Sequence, residues 1–343
     1  MQNIRAIKSE ELVSFLVRNN EKAYRGNQII EWLWKYRVAS FQEMTNLSHN
    51  LRKILSENYT LDASGIDIMQ ESNDGTIKVV FKLFDTQFVE GVLIPSEKRV
   101  TACISSQVGC ALGCKFCATG KYGFTRNLSA GEIYDQAFLL SKLSLEKYNK
   151  PLSNIVFMGM GEPLLNYENV MKAIFWINSE KGMGWSNHRM TLSTVGIEDK
   201  IKQLADDNCT VNLALSLHSA KTDVRNELIP AAKKSSLEKL SESLSYYTRK
   251  LKQKVTIEYL LLQGINDSVE DANELVKFCS TFASKINLIE YNPVSDLPFK
   301  KSDDERTASF LKILHDKNII AKLRKSRGKD IDAACGQLAN KGK

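Results

Sequence analysis

From residue 99 onward the chain repeats one pattern: a short apolar, β-branched run, a polar loop, then a longer amphipathic stretch. The apolar runs lie at 99–105, 154–159, 188–193, 211–217, 255–262 and 285–291, with helix-compatible segments such as 129–147, 166–178, 236–252 and 268–282 between them. Runs this apolar need cover on both faces, and a helix after each strand supplies it. Six strands alternating with helices therefore predict an α/β fold on a parallel sheet, either doubly wound or curled into a partial barrel.

The first sixty residues carry three helical stripes: Leu12, Phe15 and Leu16; Ile29, Ile30, Trp32 and Leu33; Leu47, Leu51 and Ile54. They predict a small helical accessory domain over residues 1–70. Up to residue 60 it holds nine Lys/Arg against six Glu, interleaved with Tyr24, Trp32, Trp34 and Tyr36. That composition suits an RNA-contacting surface and equally a solvated helical face beside core aromatics. Residues 71–98 read as a β-hairpin linker, with β-branched and aromatic runs on either side of Asp85-Thr86-Gln87. The α/β core spans 99–325. From Ala321 the periodicity stops, and 326–343 reads as a basic, solvated terminal segment, unusual in carrying Cys335. Lys341 and Lys343 add to its charge.

No stretch approaches a membrane span, and the N-terminus lacks a secretory apolar region, so a soluble, cytoplasmic protein with no membrane partner is expected. Lys+Arg number 47 against 40 Asp+Glu, a net charge of +7 that permits a nucleic-acid partner without demanding one. Seven cysteines in such a chain argue for chemistry rather than a disulfide framework.

Three of them, Cys110, Cys114 and Cys117, stand as C-x3-C-x2-C on a Gly-rich loop after the first core strand. Thiolates so close together converge on one inorganic centre, and sulfur selects zinc or an iron–sulfur cluster. A structural zinc site needs a fourth protein ligand. Cys103 is the nearby candidate, but it lies in the strand itself. Three cysteines on a 4Fe-4S cluster instead leave one iron open, which is a catalytic arrangement. Further along, Gly159-Met160-Gly161-Glu162-Pro163 follows an apolar strand, a glycine turn that lets a ligand approach the backbone. Glu162 is placed there to accept from an ammonium group, or simply to sit at a helix N-terminus. Ser193, Ser216 through His218, and Asn292 likewise end apolar runs with polar groups. His218 by itself reads as a satisfied buried histidine. Cys209 and Cys279 read as small core residues.

The C-x3-C-x-aromatic-C order, with Phe116 before Cys117, resembles the signature of the radical S-adenosylmethionine (SAM) enzymes. The resemblance implies a partial (β/α)6 barrel behind the small N-terminal helical domain. It also implies one 4Fe-4S cluster on Cys110, Cys114 and Cys117, and SAM on the open iron, cleaved to a 5′-deoxyadenosyl radical. In the same terms, Gly161 and Glu162 would hold the SAM amino group, with Ser193, Ser216, Leu217, His218 and Asn292 lining its site. The contexts Asp330-Ile-Asp-Ala-Ala-Cys335-Gly-Gln-Leu and Ala102-Cys103-Ile-Ser-Ser-Gln-Val-Gly-Cys110 resemble the two catalytic cysteines of the adenine-methylating members, the RlmN/Cfr family. This similarity runs through residues 88–340 and only weakly through the N-terminal helices.

Its RlmN branch methylates C2 of an adenosine in 23S rRNA and of the adenosine 3′ of the anticodon in tRNA; the Cfr branch methylates C8 and confers antibiotic resistance. Pro163, where the sister pattern has Ala, favours the first branch. The resemblance makes Cys335 the methyl carrier, Cys103 the thiol that releases the product and Glu90 the base. It implies two SAM per turnover and an electron donor such as flavodoxin or ferredoxin. Lys121, Arg126 and Arg225 are candidate phosphate contacts. Two rivals are a radical SAM enzyme with a non-RNA substrate, and a zinc- or cluster-stabilised RNA-binding module without activity.

Overall fold

The structure, a computed structural model, describes residues 1–295 and 297–339, so Lys341 and Lys343 of the basic terminus lie outside the described residues. Ten strands form one sheet whose spatial order follows chain order. They are β1 (Gly65–Glu71), β2 (Ile77–Lys82), β3 (Phe88–Pro95), β4 (Val100–Cys103), β5 (Asn154–Phe157), β6 (Met190–Thr194), β7 (Asn212–Ser216), β8 (Val255–Leu261), β9 (Ser284–Glu290) and β10 (Ala321–Arg324). Strands β1 to β4 pair antiparallel, and β4 to β10 pair parallel throughout. Residues from every strand between β4 and β10 line one interior chamber, so the parallel part curls around it as an open barrel.

The six predicted strands are β4 to β9, and the predicted helices form at Ala130–Tyr148, Tyr167–Asn178, Leu237–Leu251 and Val269–Cys279. Their starts follow from capping. Ser129 and Glu132 make a reciprocal capping box, as do Ser268 and Asp271, and the Ser236 hydroxyl accepts from the Lys239 N–H.

Three sequence expectations are corrected. The helical N-terminal region ends at Asn58, and Gly65–Glu71 is a sheet strand rather than the close of a helical domain. Residues 77–95 are no linker, because β2 and β3 extend the main sheet, with β3 paired to β4 from Val92↔Cys103 to Pro95↔Val100. As far as Ala339, the terminal segment is not a solvated tail. Ala321–Arg324 adds the seventh parallel strand, and the segment beyond it is pinned to the β1–β2 turn. There Asp330 accepts from the Ser72 hydroxyl (2.5 Å) and the Asn73 N–H (3.0 Å), while Gly328 N–H donates to Asp74 (3.0 Å). Ala333, Ala334, Leu338 and Ala339 are buried. Four-residue β10 is too short, and too basic at Lys322 and Arg324, to stand out as an apolar run.

The N-terminal helices pack on the core through a buried ion triad. Arg5 and Arg37 both reach Asp135, at 2.7 and 2.9 Å, and the Ser64 N–H donates to its other oxygen at 2.8 Å. Trp34 stacks on Trp176 with ring centroids 4.6 Å apart. Trp34, Arg5 and Arg37 therefore serve packing, while Tyr24 and Tyr36 remain exposed.

Candidate active site

A small antiparallel ribbon, Gln107–Gly109 against Phe124–Asn127, closes the base of the cysteine loop. Cys110 N–H donates to the Gly123 carbonyl at 2.7 Å. A Cβ on Gly109 (φ +76°) would stand 2.0 Å from that carbonyl oxygen, so the closure requires glycine. Cys110, Cys114 and Cys117 all line an upper chamber at the C-terminal ends of the parallel strands. Among the described residues no three His, Cys, Asp or Glu side chains converge as a single ion requires. A cube-shaped cluster makes no such demand, since each thiolate meets a different iron. Burial pushes the Cys110 thiol up to about 11 and raises Cys114 further, an unfavourable setting for bare thiolates that ligation to iron relieves. The donor set fits a cluster bound by three cysteines.

The same chamber is lined by Gly161, Glu162, Ser193, Ser216 and His218. The Glu162 carboxylate is buried and accepts from the N–H groups of Leu164 (3.0 Å) and Val195 (2.9 Å). Both expected features are thus present, a helix-start cap and a carboxylate facing the chamber with lone pairs to spare. Burial raises its pKa to about 7, against the pull of those two hydrogen bonds. Ser193 and Ser216 hydroxyls lie 3.3 Å apart. His218, in the left-handed region (φ +58°), accepts the Leu260 N–H on Nδ1 at 3.0 Å, and burial followed by the Arg225 charge lowers its pKa to about 3. It is a buried histidine held on Nδ1, and its ring packs edge-on against Phe116. The Leu217 side chain is fully buried and does not line the chamber. Asn292 lines neither chamber; it is buried with its Oδ1 unpartnered, and its amide nitrogen lies 3.5 Å from the Cys335 carbonyl.

Gly161 carries a further constraint inside its own turn. What comes close to it is Gln107, 2.5 Å from a built Cβ, at φ +98°. Packing within the turn therefore requires glycine here, at a position that also lines the upper chamber. Gly161→Ala is expected to destabilise the protein by about 3 kcal/mol through overpacking and left-handed strain. Thermal denaturation checks this, and an unchanged midpoint would mean that the turn relaxes freely.

Below the upper chamber, a second one of about 610 Å³ opens at the N-terminal ends of the strands. Among the described residues that line it seven are Lys or Arg, including Arg99, Lys285, Lys322 and Arg324, and Glu258 is the sole carboxylate. Cys117, Glu258, Arg324 and Cys335 line both chambers. The Cys335 loop is clasped to the cluster loop: Ala118 N–H donates to the Gly336 carbonyl (2.7 Å) and the Thr119 hydroxyl to the Leu338 carbonyl (2.6 Å). Cys103, buried at the end of β4, faces the lower chamber. Its thiol is pushed up to about 12 by burial and then by Cys335, with Arg324 pulling the other way.

Glu90 stands apart. It lines neither chamber; its carboxylate accepts the Ala339 N–H at 2.9 Å and has Lys78 at 4.0 Å. The candidate phosphate contacts are also largely committed. Arg225 is buried and donates to the carbonyls of Ser216, Leu217 and Val195. Arg126 bridges Asp85 and Glu132, each through two short contacts, and Lys121 donates to the Ser295 carbonyl at 2.9 Å. Sequence reasoning missed Glu258, Arg324 and Asn287. A carboxylate in the middle of the apolar run Val-Thr-Ile-Glu-Tyr-Leu-Leu was the available signal.

A cysteine triad on the loop after the first parallel strand, facing a chamber at the strands' C-terminal ends, defines a radical SAM enzyme. Residues 104–279 match the Radical SAM superfamily model, and residues 2–61 match the ribosomal RNA large subunit methyltransferase N-terminal domain. The chain belongs to the RlmN family of radical SAM RNA methyltransferases. It is 51% identical, over 99% of its length and 97% of the relative's, to a probable dual-specificity RNA methyltransferase RlmN of Flavobacterium johnsoniae. It is 44% identical to the dual-specificity RNA methyltransferase RlmN of Lawsonia intracellularis, covering 98% of this chain and 96% of that one. A crystal structure of a radical SAM methyltransferase from Sphaerobacter thermophilus superposes with a TM-score of 0.91 at 37% identity, covering 98% of this chain and 99% of that one. The similarity extends fully through the N-terminal helices, where the sequence motifs carried it only weakly.

Proposed function

We propose that this chain methylates C2 of an adenosine in the peptidyl transferase region of 23S rRNA, and of the adenosine 3′ of the anticodon in tRNA. The observation that carries this reading is the position of Cys335, at the divide between a chamber holding the cluster cysteines and a chamber lined by cations. The relatives' dual-specificity name supports two classes of RNA substrate. When bound, the cluster and SAM supply a 5′-deoxyadenosyl radical, with two SAM consumed per turnover and the electron delivered by a flavodoxin or ferredoxin. Cys110, Cys114 and Cys117 hold the cluster, and Glu162, Ser193, Ser216 and Asn292 Oδ1 hold SAM's polar groups.

The protein's own steps then follow from its thiols. Cys335, as thiolate, takes a methyl group by displacement from one SAM. That methyl loses a hydrogen atom, and the resulting S–CH2 radical adds to adenine C2, joining RNA to protein. The C2 proton and one electron then leave, and the electron would return to the cluster, left oxidised once it has given one to SAM. Cys103 thiolate attacks the Cys335 sulfur, the sulfur–carbon bond breaks toward the base, and a disulfide remains while the base's new methyl group gains a proton. Glu90 accepts the C2 proton, which requires Leu338–Ala339 to move off its carboxylate when RNA binds.

The target base must leave its stack to reach Cys335, and the cationic mouth gives its phosphates a path. Exposed Lys285 and Lys322 sit at that mouth. Replacing both with alanine is expected to weaken RNA binding about tenfold and to lower the slope of log K against log salt by up to about 2. Filter binding across a salt series tests this; an unchanged slope would remove the mouth from the RNA path.

No helix among the described residues is long and apolar enough to cross a membrane, which agrees with a cytoplasmic site of action. Anaerobically reconstituted protein, incubated with SAM, reductant and unmodified 23S rRNA or tRNA, is expected to yield 2-methyladenosine by mass spectrometry of the digested RNA. 8-Methyladenosine, or SAM cleavage with no methylated adenosine, would overturn the reading.

A further inference from the structure

Glu258 lies in the middle of β8 with one carboxylate oxygen satisfied and the other open. Asn287 Nδ2 donates to Oε1 at 2.7 Å, whereas Oε2 is buried without a hydrogen-bond partner. Its nearest charge is the Arg324 guanidinium, 4.0 Å away, and the Glu258 side chain is only 5% exposed. A buried carboxylate oxygen without a donor is costly, so it marks a place where a donor is expected to arrive. The donor's location is defined by the lining. Glu258, Arg324 and Cys335 all line both chambers, so a group reaching Oε2 enters a space that the thiol also lines.

Resting on the function proposed above, the group that arrives is an adenine with C2 turned to Cys335. C2 and the N6 amino group flank N1 on the same edge of the ring, so presenting C2 to the thiol brings the amino group alongside. We propose that Glu258 Oε2 accepts a hydrogen bond from the N6 amino group of the target adenine and thereby selects adenine as the base to be methylated. Asn287 orients the carboxylate through its other oxygen. Burial disfavours the charged form of Glu258, and Arg324 is the first of the groups that counter it. A guanine or hypoxanthine in the same place would turn a carbonyl oxygen toward the carboxylate, which repels it.

The test uses the reconstituted holoenzyme and RNA fragments carrying adenosine, inosine or purine ribonucleoside, which lacks the 6-amino group, at the target position. Both kcat/KM and the equilibrium Kd without reductant are measured. Wild-type protein is expected to favour adenosine over purine ribonucleoside by about 10²-fold in kcat/KM, and to bind the adenosine RNA more tightly. Glu258→Met is expected to shrink that preference to less than about threefold by losing adenosine activity, with Glu258→Gln intermediate. Equal use of the adenosine and purine RNAs by the wild type would overturn the proposal without recourse to any variant. A full preference retained in folded Glu258→Met would also overturn it, by placing the N6 reader elsewhere. If the wild type cleaves SAM but methylates no RNA, the RNA reading itself fails and takes this inference with it.

Discussion

Replacing Cys103 with alanine is expected to stop the reaction at a covalent RNA–protein adduct, with close to one RNA bound per active protein and multiple turnover lost. The methyl carrier and the cluster loop are untouched by the change, so every step before release remains open. Denaturing gel electrophoresis detects the adduct, and digestion to a single modified Cys335 locates it. Free turnover by the variant would sink the disulfide step. The buried setting of Cys103 adds a pH signature. With its thiol pushed up to about 12, first by burial, the thiolate fraction is small at neutral pH and rises about tenfold per pH unit well below that value. In the wild type, decay of the adduct is therefore expected to accelerate with pH between about 7 and 9. A flat profile across that range would mean that the thiol is deprotonated by a neighbouring group, or that another step limits release.

Replacing Cys335 with alanine is expected to have an equally large effect at the opposite end of the sequence of steps. No methyl group is carried, no adduct forms, and no methyladenosine appears. On the proposed assignment the cluster would be held by Cys110, Cys114 and Cys117, on a separate loop closed by its own ribbon, so iron and sulfide content should match the wild type. Intact-protein mass spectrometry after incubation with SAM checks methyl loading. Loading of the variant at wild-type level would place the carrier on another residue, and loss of iron would recast Cys335 as a contributor to the cluster site.

The two cysteines also show how unevenly this molecule is legible. The cysteine triad is readable because its three thiols are local in sequence: their spacing points to one inorganic centre, and the resemblance to radical SAM enzymes implies that it is a 4Fe-4S cluster. Cys103 and Cys335 carry no such spacing. Only the resemblance of their flanking residues singles them out, and by composition the segment around Cys335 reads as a solvated basic tail. In the structure that segment is a strand followed by a clasp. Its described cations are divided among the lower chamber, Glu290 and Asp74, and its backbone is tied to the loop at Ala118 and Thr119. Glu258 and Arg324 are further examples. Each is a charged residue on a strand, and its meaning appears only when the sheet curls and brings β8 and β10 to the same interior.

Sequence by itself determined the alternation of strands and helices from residue 99, the helix starts at Ser129, Ser236 and Ser268, and the cluster loop. These depend on periodicity, capping and spacing within a few residues, which are local properties. Tertiary structure alone decided that residues 65–95 extend the sheet and that Gly161 answers to Gln107. It also decided that Glu90 lies under Ala339, and that Cys335 stands between two chambers. Each of those depends on contacts between residues tens to hundreds of positions apart, set by sheet curvature and side-chain packing that no short window of sequence contains.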